Sequence, residues 1–443
     1  MNRERSPGVK LLLVGAVAMV LIVPLLLVYA LVYDRQSQSE TAQASITAGW
    51  GGEQTVTGPV LVIPWIAEVT TTESVNGTNL VTTTPQRREL FVSPTTQSVA
   101  TTIDPDRKGY AIYESVVFAS RMQGTARSAL PDDLNRLDVR LSSLLLNQAE
   151  LRFGVSDPRG LTDNAEVRAG GEELALLPGN GPVATGGRGF SAAVDWDGRA
   201  PLAVSWEYGL RGSHSLALVP RGNETEWSVS SSWQHPSFTG FLPDSREIGA
   251  DGFSATYAGI TNLALDRSLV SLQDDAGGQL ATIGLVDPVD LYSQVDRAVK
   301  YGFLFIGFTF ATFLMFDIVG GARVASAEYL LTGAGLVLFF VMLLAFAEVV
   351  GFALAYVIAA GAIIGLLTAY SAAVLGTWKR ASFIGAMLSG LYALLYVLLN
   401  LETYSLVIGS VLLFAALAGI MYATRSVDWS SVGRSTGDEE ALA

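Results

Sequence analysis

The stretch LLLVGAVAMVLIVPLLLVYALV, Leu11 to Val32, decides the class of this chain, because its 22 residues carry no charge. A helix needs roughly 20 apolar residues to cross the hydrocarbon core of a bilayer. Arg3, Arg5 and Lys10 precede the stretch; Asp34, Arg35 and Glu40 follow it. A secretory signal is the rival reading, with Ala42-Gln43-Ala44 as its cleavage box. Signal cores run about 7–15 residues, so the length of this run and the charges before the box favour a retained anchor.

Five further apolar runs follow Lys300: Tyr301–Val319, Tyr329–Ala347, Phe352–Leu375, Phe383–Leu399 and Tyr404–Ala423. Each is 17 to 24 residues long, and Asp317, near one end, is the only charge among them. Each length suits a spanning helix. The connections are short, so neighbouring spans are expected to form antiparallel hairpins.

Lys and Arg concentrate in cytoplasmic loops, which sets the orientation. With the N-terminus inside, the inner segments hold eight basic residues: Arg3, Arg5, Lys10, Arg323, Lys379, Arg380, Arg425 and Arg434. The short outer turns around Val349–Gly351 and Asn400–Thr403 hold none. Arg297 and Lys300 lie at the outer mouth of the second span, but they flank a large domain, where the bias carries little weight.

Composition agrees with this picture. Of 443 residues, 50% are hydrophobic and 16% charged. There are no cysteines, so disulfides, thiolate metal sites and cysteine nucleophiles are excluded. His214 and His235 are the only histidines, too few for a multi-histidine metal centre. The net charge of −13 argues against nucleic acid, which is held by clustered Lys and Arg. Residues 35–300 hold 31 acidic and 20 basic residues and so carry most of the acidity.

That long segment has the marks of β structure. Gly58–Thr72 and Asn79–Val92 are β-prone runs separated by Asn76-Gly77, a strong hairpin signal. Ala149, Leu151, Phe153 and Val155 alternate with polar or small neighbours, as do Trp227, Val229, Ser231 and Trp233. A period of two belongs to half-buried strands. Its length suits one large or two linked sandwich modules. The chain is therefore expected to be an α+β polytopic membrane protein with six spans and both termini in the cytoplasm. Residues 1–34 are the N-terminus and anchor, 35–300 a β-rich periplasmic domain, 301–424 a five-helix bundle and 425–443 a cytoplasmic tail.

Six blocks stand out along the chain: GPVLVIP (Gly58–Pro64), VSDPRGL (Val155–Leu161), HPSFTGFLPDSRE (His235–Glu247), DRAVKYGFLF (Asp296–Phe305), Tyr329–Glu348 and TRSVDW (Thr424–Trp429). In these blocks the chain resembles the CreD family, bacterial inner-membrane proteins named for cell envelope integrity. The resemblance spans nearly the whole chain and departs at the Thr-rich hairpin near Thr70–Thr84 and at the acidic tail. It implies an inner-membrane location and a role in envelope integrity, and brings no catalytic residues or cofactor.

Trp233, His235, Arg246 and Glu247 form either a recognition surface ringed by aromatics or two Pro-stiffened turns, with the aromatics in the core and Arg246 paired to a carboxylate. Asp157 and Arg159, in Asp-Pro-Arg-Gly, read as a turn after a strand, with a ligand site as the alternative. His214 reads as an exposed loop residue. Gly433-Arg434-Ser435-Thr436-Gly437 matches G-x-S-x-G only formally, because a nucleophile elbow needs a strand before the serine and a helix after it.

Within the spans, no charge stands near the bilayer midplane, where transporters commonly carry one. Glu348 ends the third span as an interfacial carboxylate or as the partner of Arg297 or Lys300. Gly361-Ala-Ile-Ile-Gly365 points to close packing within the chain in preference to homodimerisation, and oligomerisation stays open. The expected function is non-enzymatic, with the lipid bilayer and an unknown envelope component as partners. A permease-like role for the spans is the alternative.

Overall fold

The structure, a computed structural model, describes residues 7–75, 78–110, 113–131, 134–162, 165–274, 278–286, 291–318 and 325–400, with scattered positions between 407 and 425. The chain divides into two compact units, residues 41–288 and residues 1–40 with 289–443.

The first unit is a β-sandwich. Strand Gln54–Val75 pairs antiparallel with Thr78–Val92, from Leu61 opposite Val92 to Val75 opposite Thr78. The Asn76-Gly77 turn lies outside the described residues. Gln54–Val75 also pairs antiparallel with Ala149–Val155 and parallel with Ser215–Val219, which makes it the spine of a nine-stranded sheet. The second sheet, of eight strands, is built on the hairpin of Thr96–Tyr110 and Tyr113–Ser128. Leu202–Ser213 flanks that hairpin on one side and Glu224–Ser231, running parallel to Thr96–Tyr110, on the other.

Alternation sets what each strand buries. Ala149, Leu151, Phe153 and Val155 point inward, as do Trp227 and Val229. Phe153 meets Trp206 of the opposite sheet edge-on at 5.7 Å, and Phe190 meets Tyr208 at 5.8 Å. The two sheets thus share one core, so the segment is a single sandwich and not two modules. Trp233 departs from the expected alternation. The strand ends at Ser231, and Trp233 is only half-buried beyond it.

The second unit is helical. Helix α1 spans Pro7–Trp50, α2 Leu291–Lys300, α3 Gly302–Ile318, α4 Ser326–Val350, α5 Phe352–Leu375 and α6 Trp378–Asn400. Four of these helices (α1, α4, α5 and α6) are long and apolar enough to cross a membrane among the described residues. The run Tyr301–Val319 forms the 17-residue α3. Most of Tyr404–Ala423 lies outside the described residues, as does the tail with its Gly433–Gly437 motif.

Gly351 alone joins α4 to α5, and its φ of +79° suits a residue without Cβ. Phe339 of α4 packs edge-on against Tyr392 of α6 at 4.7 Å and Tyr356 of α5 at 5.4 Å, and the Tyr356 hydroxyl donates to the Tyr392 carbonyl. Large aromatics interlocked at these distances fix the three helices against each other. Leu21 of α1 lies where a Cβ on Gly333 of α4 would stand, so the small residue admits the anchor.

One expectation fails in this unit, the pairing of Glu348 with Arg297 or Lys300. The flank carrying those two residues is the amphipathic helix α2, which buries Tyr292, Val295, Ala298 and Val299. Lys300 pairs with Asp296, one turn away on α2. Glu348 instead accepts from the Tyr292 hydroxyl at 3.2 Å and stands 4.0 Å from Arg35, with its side chain only 12% exposed. Gly361 and Gly365 are exposed, with no described residue within 4 Å of where their Cβ atoms would stand.

Candidate functional site

Residues 41–50, the end of α1, belong to the sandwich unit, and the VSDPRGL block holds them there. Pro158–Gly160 forms a single 3-10 turn capped by Asp157, as the Asp-Pro-Arg-Gly pattern predicts. Asp157 Oδ2 accepts from the Gly52 amide at 3.0 Å and from Arg159 Nη2 at 2.8 Å, while Oδ1 accepts from Arg159 Nε at 2.8 Å. Arg159 Nη1 then reaches the Ala48 carbonyl at 3.2 Å, one of the carbonyls a helix end leaves without an internal partner. Gly160 fits because a Cβ there would collide with the Arg211 carbonyl.

The clamp has a second jaw. The Trp50 indole donates to the Phe118 carbonyl at 3.1 Å, with the Arg211 guanidinium 4.7 Å and the Lys108 ammonium 5.1 Å from its ring. The last turn of α1 contains no basic residue, so Arg159, Arg211 and Lys108 supply the positive charge that a helix C-terminus favours. Asp157 and Arg159 are therefore anchoring residues.

The Arg159 guanidinium, hydrogen-bonded to Asp157, holds that carboxyl down at about 2 against the opposing effect of burial; the Gly52 and Arg159 amides add to the lowering. A carboxyl whose folded pKa lies below its ordinary 3.8 stabilises the fold above pH 4 and loses that contribution as the pH falls toward 2. Because Arg159 is exposed and solvent screens the pair, the contribution is at most about 1 kcal/mol. The denaturation midpoint of the wild-type protein should fall across that window, and that of Asp157→Asn should fall less. Equal slopes would contradict the clamp.

The HPSFTGFLPDSRE block does something different. Pro236–Gly240 is an edge strand of the nine-stranded sheet, and Ser245–Gly249 is an edge strand of the eight-stranded sheet. The block thus crosses from one sheet to the other along an open side of the sandwich. Phe238 turns inward, edge-on to Phe253 at 5.8 Å, and the Arg246 guanidinium lies 5.8 Å from the centre of its ring. Arg246 thus caps an aromatic ring, where an ion pair was expected. The Asp244 carboxylate accepts from the Ala258 amide, which fixes the entry to the second strand.

His235 is exposed, and its carbonyl accepts from the Trp233 indole at 3.1 Å. The same indole N–H also reaches the Val286 carbonyl, and Arg107 lies 5.6 Å above the ring. His214 is half-buried rather than looped out: it sits at φ +59° between two strands, and its Nε2 stands 3.2 Å from the Ser115 hydroxyl.

All five residues of Ser245–Gly249 are exposed. Beside them on the outward face of the sheet is a cavity of about 740 Å³ lined by Asp104, Glu247 and Asp251, with no basic residue in its wall. Sequence reasoning placed Glu247 here but missed Asp104 and Asp251, which arrive from 143 positions upstream and from the next hairpin turn. Among the described residues, no three His, Asp or Glu side chains gather closely enough to hold a metal ion.

Among solved structures, the M1 zinc metallopeptidase of Deinococcus radiodurans aligns with 44% of this chain and 42% of its own, at 6% identity and a TM-score of 0.22. That likeness is too slight to transfer fold or activity. The inner membrane protein CreD of Escherichia coli (strain K12) is 30% identical over 432 residues, covering 94% of this chain and 92% of the relative. The family described as inner membrane protein CreD matches residues 6–430. Those residues take in the anchor helix, the whole sandwich and the helices after it, and the chain belongs to the CreD family of inner membrane proteins.

Proposed function

We propose that this inner-membrane protein is non-enzymatic and supports envelope integrity through its sandwich, which faces the periplasm and contacts another envelope component. The proposal includes six spans with both termini in the cytoplasm and residues 35–300 outside, from the loop charge bias. One observation carries the functional reading: the most distinctive family-like block contributes an edge strand whose five residues are all exposed. Exposed, sheet-mounted side chains beside a groove are the material of recognition surfaces.

Transport through the helices is the second reading. In its favour, the buried hydroxyls of Thr309, Thr332 and Ser371 have no hydrogen-bond partner among the described residues. They carry no charge, which weakens any case for a proton or ion path.

The absence of cysteine allows a clean test of orientation. In spheroplasts, a bilayer-impermeant maleimide should label Leu177→Cys in the sandwich and leave Lys379→Cys unlabelled until the membrane is opened. The reverse pattern would overturn the proposed orientation and the function built on it.

A further inference from the structure

We infer that the edge strand Ser245–Gly249 is a docking site for an extended segment of another envelope polypeptide, added as a further strand to the eight-stranded sheet. The inference rests on the proposed function, in which the sandwich surface recognises a partner. The first observation is the ladder itself. Ser245–Gly249 pairs with Gly252–Thr261 on one side only, with Gly249 opposite Gly252 across a two-residue loop.

A two-residue hairpin makes its closing pair a hydrogen-bonded pair, and such pairs then alternate along an antiparallel ladder. The bonded positions are therefore Gly249, Glu247 and Ser245. Arg246 and Ile248 turn their backbone N–H and C=O groups away from the sheet. An outward row of unpaired peptide groups is a template for an extended chain.

The second observation selects the occupant. On the face of Glu247, the adjoining cavity of about 740 Å³ also holds Asp104 and Asp251 and no cation. On the face of Phe253, with which it pairs, Ile248 is 51% exposed, and Leu242, just before the strand, is 65% exposed. Successive residues of an added strand alternate between these faces. A fitting segment therefore places a Lys or Arg opposite Glu247, with apolar neighbours on either side.

A second copy of this chain fits poorly. Two such edges overlapping along their full length in antiparallel fashion would put Arg246 opposite Ile248 and Glu247 directly opposite Glu247. Like charges directly opposite destabilise a strand pair.

The test places a photo-crosslinking amino acid at Leu242 in the full-length protein within intact cells and maps the captured segment by mass spectrometry. The expected product is a segment of another polypeptide carrying Lys or Arg between apolar residues. Its yield should fall about tenfold or more in Ile248→Pro, which removes an outward N–H, and in Glu247→Lys, which reverses the charge. Protein level and protease resistance confirm folding, and where Ile248→Pro does not accumulate, Glu247→Lys carries the test. Crosslinks confined to lipid or to a second copy, unchanged yields in the variants, or no product would each overturn the inference. Correct maleimide labelling alongside such a result would leave the wider function standing.

Discussion

Replacing Arg221 with methionine should cost the sandwich about 3–5 kcal/mol, the effect expected when one member of a buried ion pair is removed and its partner is left charged. Arg221 is 3% exposed, and its Nη2 stands 3.4 Å from Asp274 Oδ1, whose side chain is 8% exposed. Its Nε donates to the Thr57 hydroxyl at 3.1 Å, and its backbone amide donates to Gln97 Oε1 at 2.9 Å. Gln97 in turn donates to the Gly58 carbonyl, inside the GPVLVIP block. Asp274 Oδ2 also accepts from the Val183 amide at 2.6 Å.

The pair therefore ties the spine strand of one sheet to the first strand of the other and to two loops. Methionine keeps the volume and removes the charge, which leaves Asp274 ionised in the interior with only a backbone amide for compensation. A loss of this size approaches the whole stability of many domains. Thermal melts of detergent-solubilised protein should show the sandwich transition shifted far down in Arg221→Met and partly recovered when Asp274→Asn is added. A single variant melting with the wild type would mean that the network contributes packing alone.

None of that network was legible in the sequence. Thr57, Gln97, Arg221 and Asp274 lie tens of residues apart in chain segments that carry no periodic signal, and only the folded register brings them together. Four of the spans were legible because the membrane imposes length and apolarity on one continuous run. The strands were legible where burial on one face enforces a period of two. Trp233 shows where that signal fails. Alternation continues past Ser231 in the sequence, while the strand does not, because the chain must turn to reach the other sheet.

The same limit applies to α1. Its polar second half, Asp34–Trp50, lacks an apolar stripe, and the residues that fix its end, Asp157, Arg159 and Arg211, come from far along the chain. For Glu348, the sequence placed it at a helix end near basic residues, yet its contacts are Arg35 and Tyr292. Their expected place at the same membrane face made Arg297 and Lys300 the natural candidates. Helix α2 instead pairs Lys300 with its own Asp296.

The His235–Glu247 rim is expected to work by recognition. Reversing the charge of its groove with Glu247→Lys and Asp251→Lys changes two exposed side chains, and surface changes of this kind usually alter stability by within about 0.5 kcal/mol. Like charges brought together across an interface cost several kcal/mol, so recognition should be lost. The measurement is survival under detergent challenge of cells that lack the protein and are supplied with each variant at equal level. His235→Ala should protect as the wild type does, and the groove reversal should fall about tenfold or more, toward cells given no protein. Full protection by the groove reversal, or its complete loss in His235→Ala, would contradict the account.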